Sequence, residues 1–384
     1  MIRWRTLALL SVLAALAACD KDKTAEPPAE LVDIKQSLPV ERLWSTSVGG
    51  GGEKLRLALG LAAGDDVLYA ASRKGEVRAL DAATGRTRWE SDVEVELAAG
   101  PSAGEGLVVV GTSSGTVIAL ESADGKERWR AKLSGEVLAA PLVAAGRVIV
   151  RTVDGRLRAL ESADGKEAWM VEDLVPRLTL RGTSAPVRAG DVVFCGFDSG
   201  RVMAVSIPTG DILWQAQVST PRGRSELERL ADIDAAVRVA GDEVYAVGYQ
   251  GRIAMIARDS GQIWWTRDLS SYRDIGMDEG QLYVATSDGD VVAMRRRDGG
   301  VAWQQTGLKR RGLGAPVLHG GAVVVGDFDG YLHWLDRETG RFVARERPGS
   351  TRFATTPVVI GDRLFVIDDG GEITAFRAGD GSGR

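Results

Sequence analysis

The chain has 384 residues, a formal net charge of −5, 44% hydrophobic residues and 26% charged ones, the make-up of a globular protein long enough to bury roughly three quarters of its unfolded surface. It carries no basic run and no stripe of basic and aromatic residues, which argues against nucleic acid as a partner. The 48 glycines call for many tight turns between short strands, and two cysteines are too few for a disulfide framework. At the start, Arg3 and Arg5 precede an apolar run from Leu7 to Ala18. Such a run is too short to cross a bilayer and has the form of a secretory signal, assigned here to residues 1–18. Its removal leaves 46 basic against 53 acidic residues, a mild acidity that serves solubility.

Leu16-Ala17-Ala18-Cys19 resembles the bacterial lipobox. The resemblance implies cleavage before Cys19, diacylglycerol on its thiol and an acyl chain on its amino group. Several acyl chains, at roughly 0.8 kcal/mol per buried CH₂, make such an anchor effectively permanent. Cys195 is then left without a partner, and no disulfide is expected. Residues 19–37 are assigned to the lipidated cysteine and a flexible tether, because Asp20 to Ser37 is charged, holds Pro27-Pro28 and has little apolar content. A coil of that length reaches about 25 Å root-mean-square.

From Trp44 the chain repeats, with LDAATGRTRW at 80–89, LESADGKERW at 120–129 and LESADGKEAW at 160–169, then looser copies ending at Trp214, Trp265, Trp303 and Ala344. A period of about 40 residues marks one supersecondary unit. In the unit ending at Trp169, strands are expected at Val137 to Val143, Val148 to Thr152, Arg156 to Leu160 and Lys166 to Met170, with turns at Gly146, Asp154-Gly155 and Asp164-Gly165. Four strands per unit is a propeller blade. The second turn recurs at Gly75, Gly115, Gly155, Gly200, Gly251, Gly289, Gly330 and Gly370, which counts eight blades. The last unit stops near Phe376 without a fourth strand, while Leu43-Trp44-Ser45 is a fourth strand with no blade before it. The expected fold is an all-β, eight-bladed propeller of four-stranded antiparallel blades over 38–378, closed by the N-terminal strand, with a disordered tail at 379–384; closure hides exposed sheet edges. The repeated Trp is expected to pack between blades, and the Gly four residues before it to need positive φ. Cys195 is expected to be a small buried residue.

Catalytic constellations are missing from the pattern. His319 and His333 have no metal-ligand spacing, no CxxC, GxSxG or P-loop occurs, and no catalytic, cofactor-binding or metal residue is assigned. Both histidines are expected at surface or satisfied positions. The repeat resembles that of quinoprotein dehydrogenases, which bind pyrroloquinoline quinone and Ca²⁺ on eight-bladed propellers. Against that activity stand the chain's short length, the lone Cys195 and the lack of an insertion bearing a Glu, Asn and Asp cluster.

Within the body of the repeat, longer gaps lie between Trp169 and Trp214 and between Trp214 and Trp265. Aligning the small-residue motifs Ala139-Ala140-Pro141, Ser184-Ala185-Pro186 and Ala235-Ala236-Val237 puts Arg181 in register with Asp232 one blade later. Both fall in connections from an outer strand to the next inner strand, on the face of the second turns. Arg181, Asp232 and Asp234 belong there together, with Leu178 and Leu180 upstream and the charged excursion Pro221 to Leu230 between. Geometry alone leaves two readings open: solvated loop charges with an Arg181–Asp232 surface pair, or an arginine-anchored hot spot for a protein partner.

Leu178-Thr-Leu180-Arg181-Gly182-Thr-Ser184-Ala185-Pro186, Glu226-Leu-Glu-Arg229-Leu230-Ala-Asp232-Ile-Asp234 and Gly326-Asp-Phe-Asp-Gly330-Tyr331-Leu332-His333-Trp334 resemble signatures of the BamB family, lipoproteins of the outer-membrane β-barrel assembly (BAM) machine. The resemblance runs from the lipobox to the last strand. It implies a non-enzymatic scaffold without cofactor, at the periplasmic face of the outer membrane, that binds the periplasmic domains of BamA and helps deliver unfolded outer-membrane proteins. It implies BamA contacts at the residues matching Leu178, Leu180, Arg181, Asp232 and Asp234. Asp20 departs from the pattern, because in enteric bacteria an aspartate there retains lipoproteins at the inner membrane; a scaffold of another envelope complex is the alternative it raises.

Overall fold

The computed structural model describes residues 26–50 and 58–379. Alternating apolar residues and glycine turns give short antiparallel strands, and these form eight sheets arranged as blades 1 to 8: 61–92, 99–132, 142–172, 187–217, 238–268, 276–305, 317–346, and 358–378 with 40–47. Among the described residues no helix occurs. Val40–Ser47 pairs antiparallel with Glu372–Ala378, so the N-terminal strand is the outer strand of blade 8 and the ring closes as expected. One strand lies outside the repeat: Ala58–Leu59 pairs in parallel with the inner strand of blade 2.

The repeated Trp explains how blades adhere. The indole N–H of Trp44, Trp89, Trp129, Trp169, Trp214, Trp265 and Trp303 donates to a backbone carbonyl of the following blade at 2.7–3.3 Å. The same rings lie against the turn glycine of that blade. A Cβ on Gly125 or Gly165 would stand 2.5 or 2.6 Å from the ring of Trp89 or Trp129, and both glycines have φ of +73°. Glycine is therefore required twice over, by conformation and by space. Each large ring buries roughly 150–250 Å². Ala344 breaks the series. At that junction the fully buried Trp334 packs edge-on against Phe376 with centroids 5.8 Å apart, and Leu38 adds to the same core.

Two local expectations need correction, for the inner strand of blade 3 and for the tether. The inner strand of blade 3 is Leu142–Ala144, and Val137 makes only an isolated bridge with Thr152; the small residues before Leu142 belong to the connection. At the second turn, positive φ falls on Gln250 rather than Gly251 and on Gly371 rather than Gly370. The tether is shorter than 19–37. Ala29 N–H donates to Lys309 O, and Ser37 and Leu38 N–H both donate to Val343 O, while Arg310, Arg311 and Arg345 donate to the carbonyls of Pro27, Ala29 and Val32. Three arginines satisfy the carbonyls of this segment, which runs down blade 7 before turning into the strand at Val40. Cys19 and the rest of the tether lie outside the described residues, as does the expected tail beyond Gly379.

Candidate functional site on the propeller rim

Connections from outer to inner strands gather on one face with the second turns. The two longest between fully described strands are 173–186, joining blades 3 and 4, and 218–237, joining blades 4 and 5. Leu178 is 43% exposed and Arg181 stands out beside it with a 53% exposed side chain. Leu180 is half-buried. It lines, with Arg181 and Asp234, a cavity of about 900 Å³ at the channel mouth, whose other walls include Tyr249, Tyr272 and Arg273. Leu174, Val175 and Leu227 are also exposed on these connections. They extend the apolar crest beyond the residues read from sequence, and the signal was available in their being apolar residues in loops.

Asp232 and Asp234 are not rim charges. Asp232 is buried, and its Oδ1 accepts the N–H of Leu180 at 3.2 Å. Asp234 lies directly under the loop, since a Cβ on Gly182 would meet its Oδ2 at 3.0 Å. Asp198, from the second turn of blade 4, completes a group whose carboxylate oxygens lie within 4.8 Å of one another. Among the described residues one cation forms an ion pair with them. Arg151 of blade 3, itself buried, places Nη2 3.2 Å from Asp198 Oδ2 and its guanidinium 4.5 Å over the ring of Phe197. Burial, aided by Asp198, pushes the Asp232 carboxyl up to about 6. Burial with Asp232 and Asp198 raises Asp234 well above the carboxylate range, and burial raises Asp198 as well. Three oxygens this close have the geometry of a cation site, but Arg151 already supplies the counter-charge.

Arg181 pairs with Glu136, at 3.5 Å, in the connection from blade 2 to blade 3. Three successive connections are thus stapled: Glu136 to Arg181, Leu180 N–H to Asp232, and Ser184 Oγ to the carbonyl of Ala235 at 3.0 Å. The excursion between them ends in a single turn. Glu228 accepts the N–H groups of Arg224 and Ser225, and Ser225 Oγ accepts from Glu228 N–H, a reciprocal capping box.

The remaining chemistry-bearing residues are tied up in packing. Cys195 is fully buried, and burial pushes its thiol up to about 12. Both histidines are buried and satisfied. His319 bonds the carbonyl of Asp362 and accepts from the Trp334 indole; His333 bonds Asp327 and accepts from Arg345. Burial holds both imidazoles below their ordinary range.

Fold and site together define an eight-bladed propeller whose loops present an apolar crest with Arg181 beside it on the rim. A family model described as outer membrane protein assembly factor BamB matches residues 41–101, 73–305 and 287–383. The assembly factor BamB of Pseudomonas aeruginosa is 47% identical over 377 residues, 98% of this chain and 99% of that one. The crystal structure of BamB from Moraxella catarrhalis superposes with a TM-score of 0.82 at 29% identity, covering 88% of this chain and 100% of that one. The chain belongs to the BamB family. The quinohemoprotein alcohol dehydrogenase of Comamonas testosteroni, at 14% identity and a TM-score of 0.69 over 90% of this chain and 77% of that one, shares the fold alone.

Proposed function

We propose that this protein is a non-enzymatic scaffold in the assembly of outer-membrane proteins, held by lipid on Cys19 at the periplasmic face of the outer membrane, and that the rim of blades 3 to 5 binds the periplasmic domains of BamA. The observation that carries the site is the crest itself. Leu178 and Arg181 project from a connection fastened on both sides, so their ordering cost is already met when a partner arrives. Family membership supports the assembly role, and the name of the Pseudomonas aeruginosa relative states it for that protein. Direct contact with unfolded outer-membrane proteins follows from the same reading.

The test is a mild-detergent capture of the lipidated protein from native membranes, with mass spectrometry of what accompanies it. BamA is expected with the wild type and lost with Arg181→Glu or Leu178→Asp. Both residues are exposed, so neither variant should lower the melting temperature. BamA retained by both variants removes the site; a different complex recovered with the wild type removes the partner.

A further inference from the structure

Beneath the crest lies an electrostatic imbalance that its exposed residues do not explain. Among the described residues, the ion pair of these three carboxylates is that of Asp198 with Arg151, in a site closed to water at Asp232 and Asp198. Asp232 Oδ2 and Asp234 Oδ1 are each buried with no hydrogen-bond partner. An isolated ionised carboxylate in such a place is strongly disfavoured. Two adjacent carboxyl groups resolve it by keeping one proton between them, as a carboxylic acid donating to a carboxylate.

We infer that Asp198, Asp232 and Asp234 retain a shared proton and, with Arg151, act as positioning residues that clamp the Leu178–Arg181 loop from below, rather than as anions offered to a partner. A proton carried by Asp234 gives a donor to the orphaned oxygen of Asp232. Asp232 then keeps its other oxygen on the Leu180 N–H, and that bond sets where Leu178 and Arg181 stand. Arg151 cancels the charge of Asp198. Among the described residues, the charged and titratable groups facing the cluster are Arg151 from blade 3, Cys195 beside Asp198 in blade 4, and Asp173 behind Asp198, itself bonded by Ser199 and Arg201; Arg181, Arg273 and Asp274 share with Asp234 the cavity above it.

The pH dependence has a definite sign. These carboxyls hold protons in the folded protein that they release near pH 4 when unfolded. Their contribution is therefore complete below that value and is lost in two steps of the pair as pH rises, the first through about 6, where burial has moved Asp232, and the second as the proton shared with Asp234 leaves. Once the shared proton leaves, two anions repel and Asp232 is drawn off the Leu180 N–H.

The inference rests on the partner reading for the purpose of the loop, not for its mechanics. Hydrogen-exchange protection across 176–184, measured on the full chain from pH 5.5 to 8 and corrected for intrinsic exchange, reads the clamp with no partner present. Wild-type protection is expected to fall at least tenfold over that range. Asp234→Asn, whose amide keeps the shape and donates as the acid does, should hold within about twofold and still capture BamA within about threefold of wild type. Parallel loss of protection in wild type and Asp234→Asn overturns the inference. So does loss of BamA capture by Asp234→Asn at unchanged protection, which makes Asp234 a contact anion. A tenfold gain in wild-type protection on adding Ca²⁺ or Mg²⁺ at pH 8, absent in Asp234→Asn, overturns it in favour of a cation site. If wild type captures no BamA at all, the partner reading fails and the protection data alone decide the clamp.

Discussion

Two buried charged clusters lie on the same face of the ring and differ in their balance of charge. In blade 7, Asp327 Oδ2 accepts from Arg311 at 2.6 Å and from His333 at 3.1 Å, and its Oδ1 accepts the N–H groups of Asp329 and Tyr331. His333 and Arg311 hold the Asp327 carboxyl below its usual range although burial opposes them. Both oxygens of that carboxylate have donors, and Arg311 and Arg345 fasten the chain's own residues Ala29 and Val32. Among the described residues, the cluster at blades 3 to 5 has three carboxylates with one ion pair, to Arg151, and fastens a loop that faces outward. A carboxylate with donors on both oxygens suits a permanent attachment. An acid-rich one stays responsive to protons, at the place where a partner is proposed to bind.

Removing one member of each should break the comparison most visibly. Asp327→Ala leaves Arg311 and His333 buried without their acceptor and is expected to cost about 3–5 kcal/mol by urea denaturation. Because a guanidinium keeps its charge, the cost should be alike at pH 5 and pH 8. Arg151→Met, the counterpart, is expected to cost about 2–4 kcal/mol at pH 8 and less than half of that at pH 5, where Asp198 takes up a proton instead. Equal costs at both pH values for Arg151→Met would mean that the two clusters do not differ in kind.

The pH slopes of the wild type sharpen the same contrast. His333 stays neutral in the fold because burial disfavours its cation. Unfolded chains bind its proton first, so stability from blade 7 is present above the unfolded histidine value and falls as pH drops below about 6.5. The carboxylate cluster works in the other direction, losing stability as pH rises. His333→Gln should flatten the acid side of a plot of melting temperature against pH, with His319 keeping its own share, and leave the alkaline side unchanged. Asp234→Asn should do the reverse.

How much of this was legible in the sequence depended on whether a feature repeats. Blade number and the paired roles of Trp and Gly were readable because each occurs seven or eight times, and ring closure because the repeat exposes a missing fourth strand that Leu43-Trp44-Ser45 supplies; the indole-to-carbonyl bond at seven junctions is one solution copied. Features that occur once were not. The strap over blade 7 has no periodicity, and its low apolar content read as coil because its partners are backbone carbonyls and three arginines more than 280 positions away. Register placed Arg181, Asp232 and Asp234 on one face correctly, but it could not tell an exposed aspartate from a buried one. The burial of Asp232 depends on Asp198 and Arg151, which sit in ordinary turn and strand positions of their own blades.

The smallest effect expected is at the exposed pair of Arg181 with Glu136. At 3.5 Å, with side chains 53% and 42% exposed, it gains little Coulomb energy against water and costs rotamer entropy on both sides. Glu136→Gln should therefore change stability by less than about 0.5 kcal/mol, an order of magnitude below Asp327→Ala. Arg181 keeps further contacts when that pair is removed, so the loop should stay in place and BamA capture should persist. Arg181→Glu is equally benign for stability but reverses the charge that the crest presents. The two substitutions together separate what holds the rim from what the rim offers. If Glu136→Gln loses capture as fully as Arg181→Glu, the staple across the three connections is itself part of the recognition surface, and the division between an exposed crest and a buried clamp has to be redrawn there.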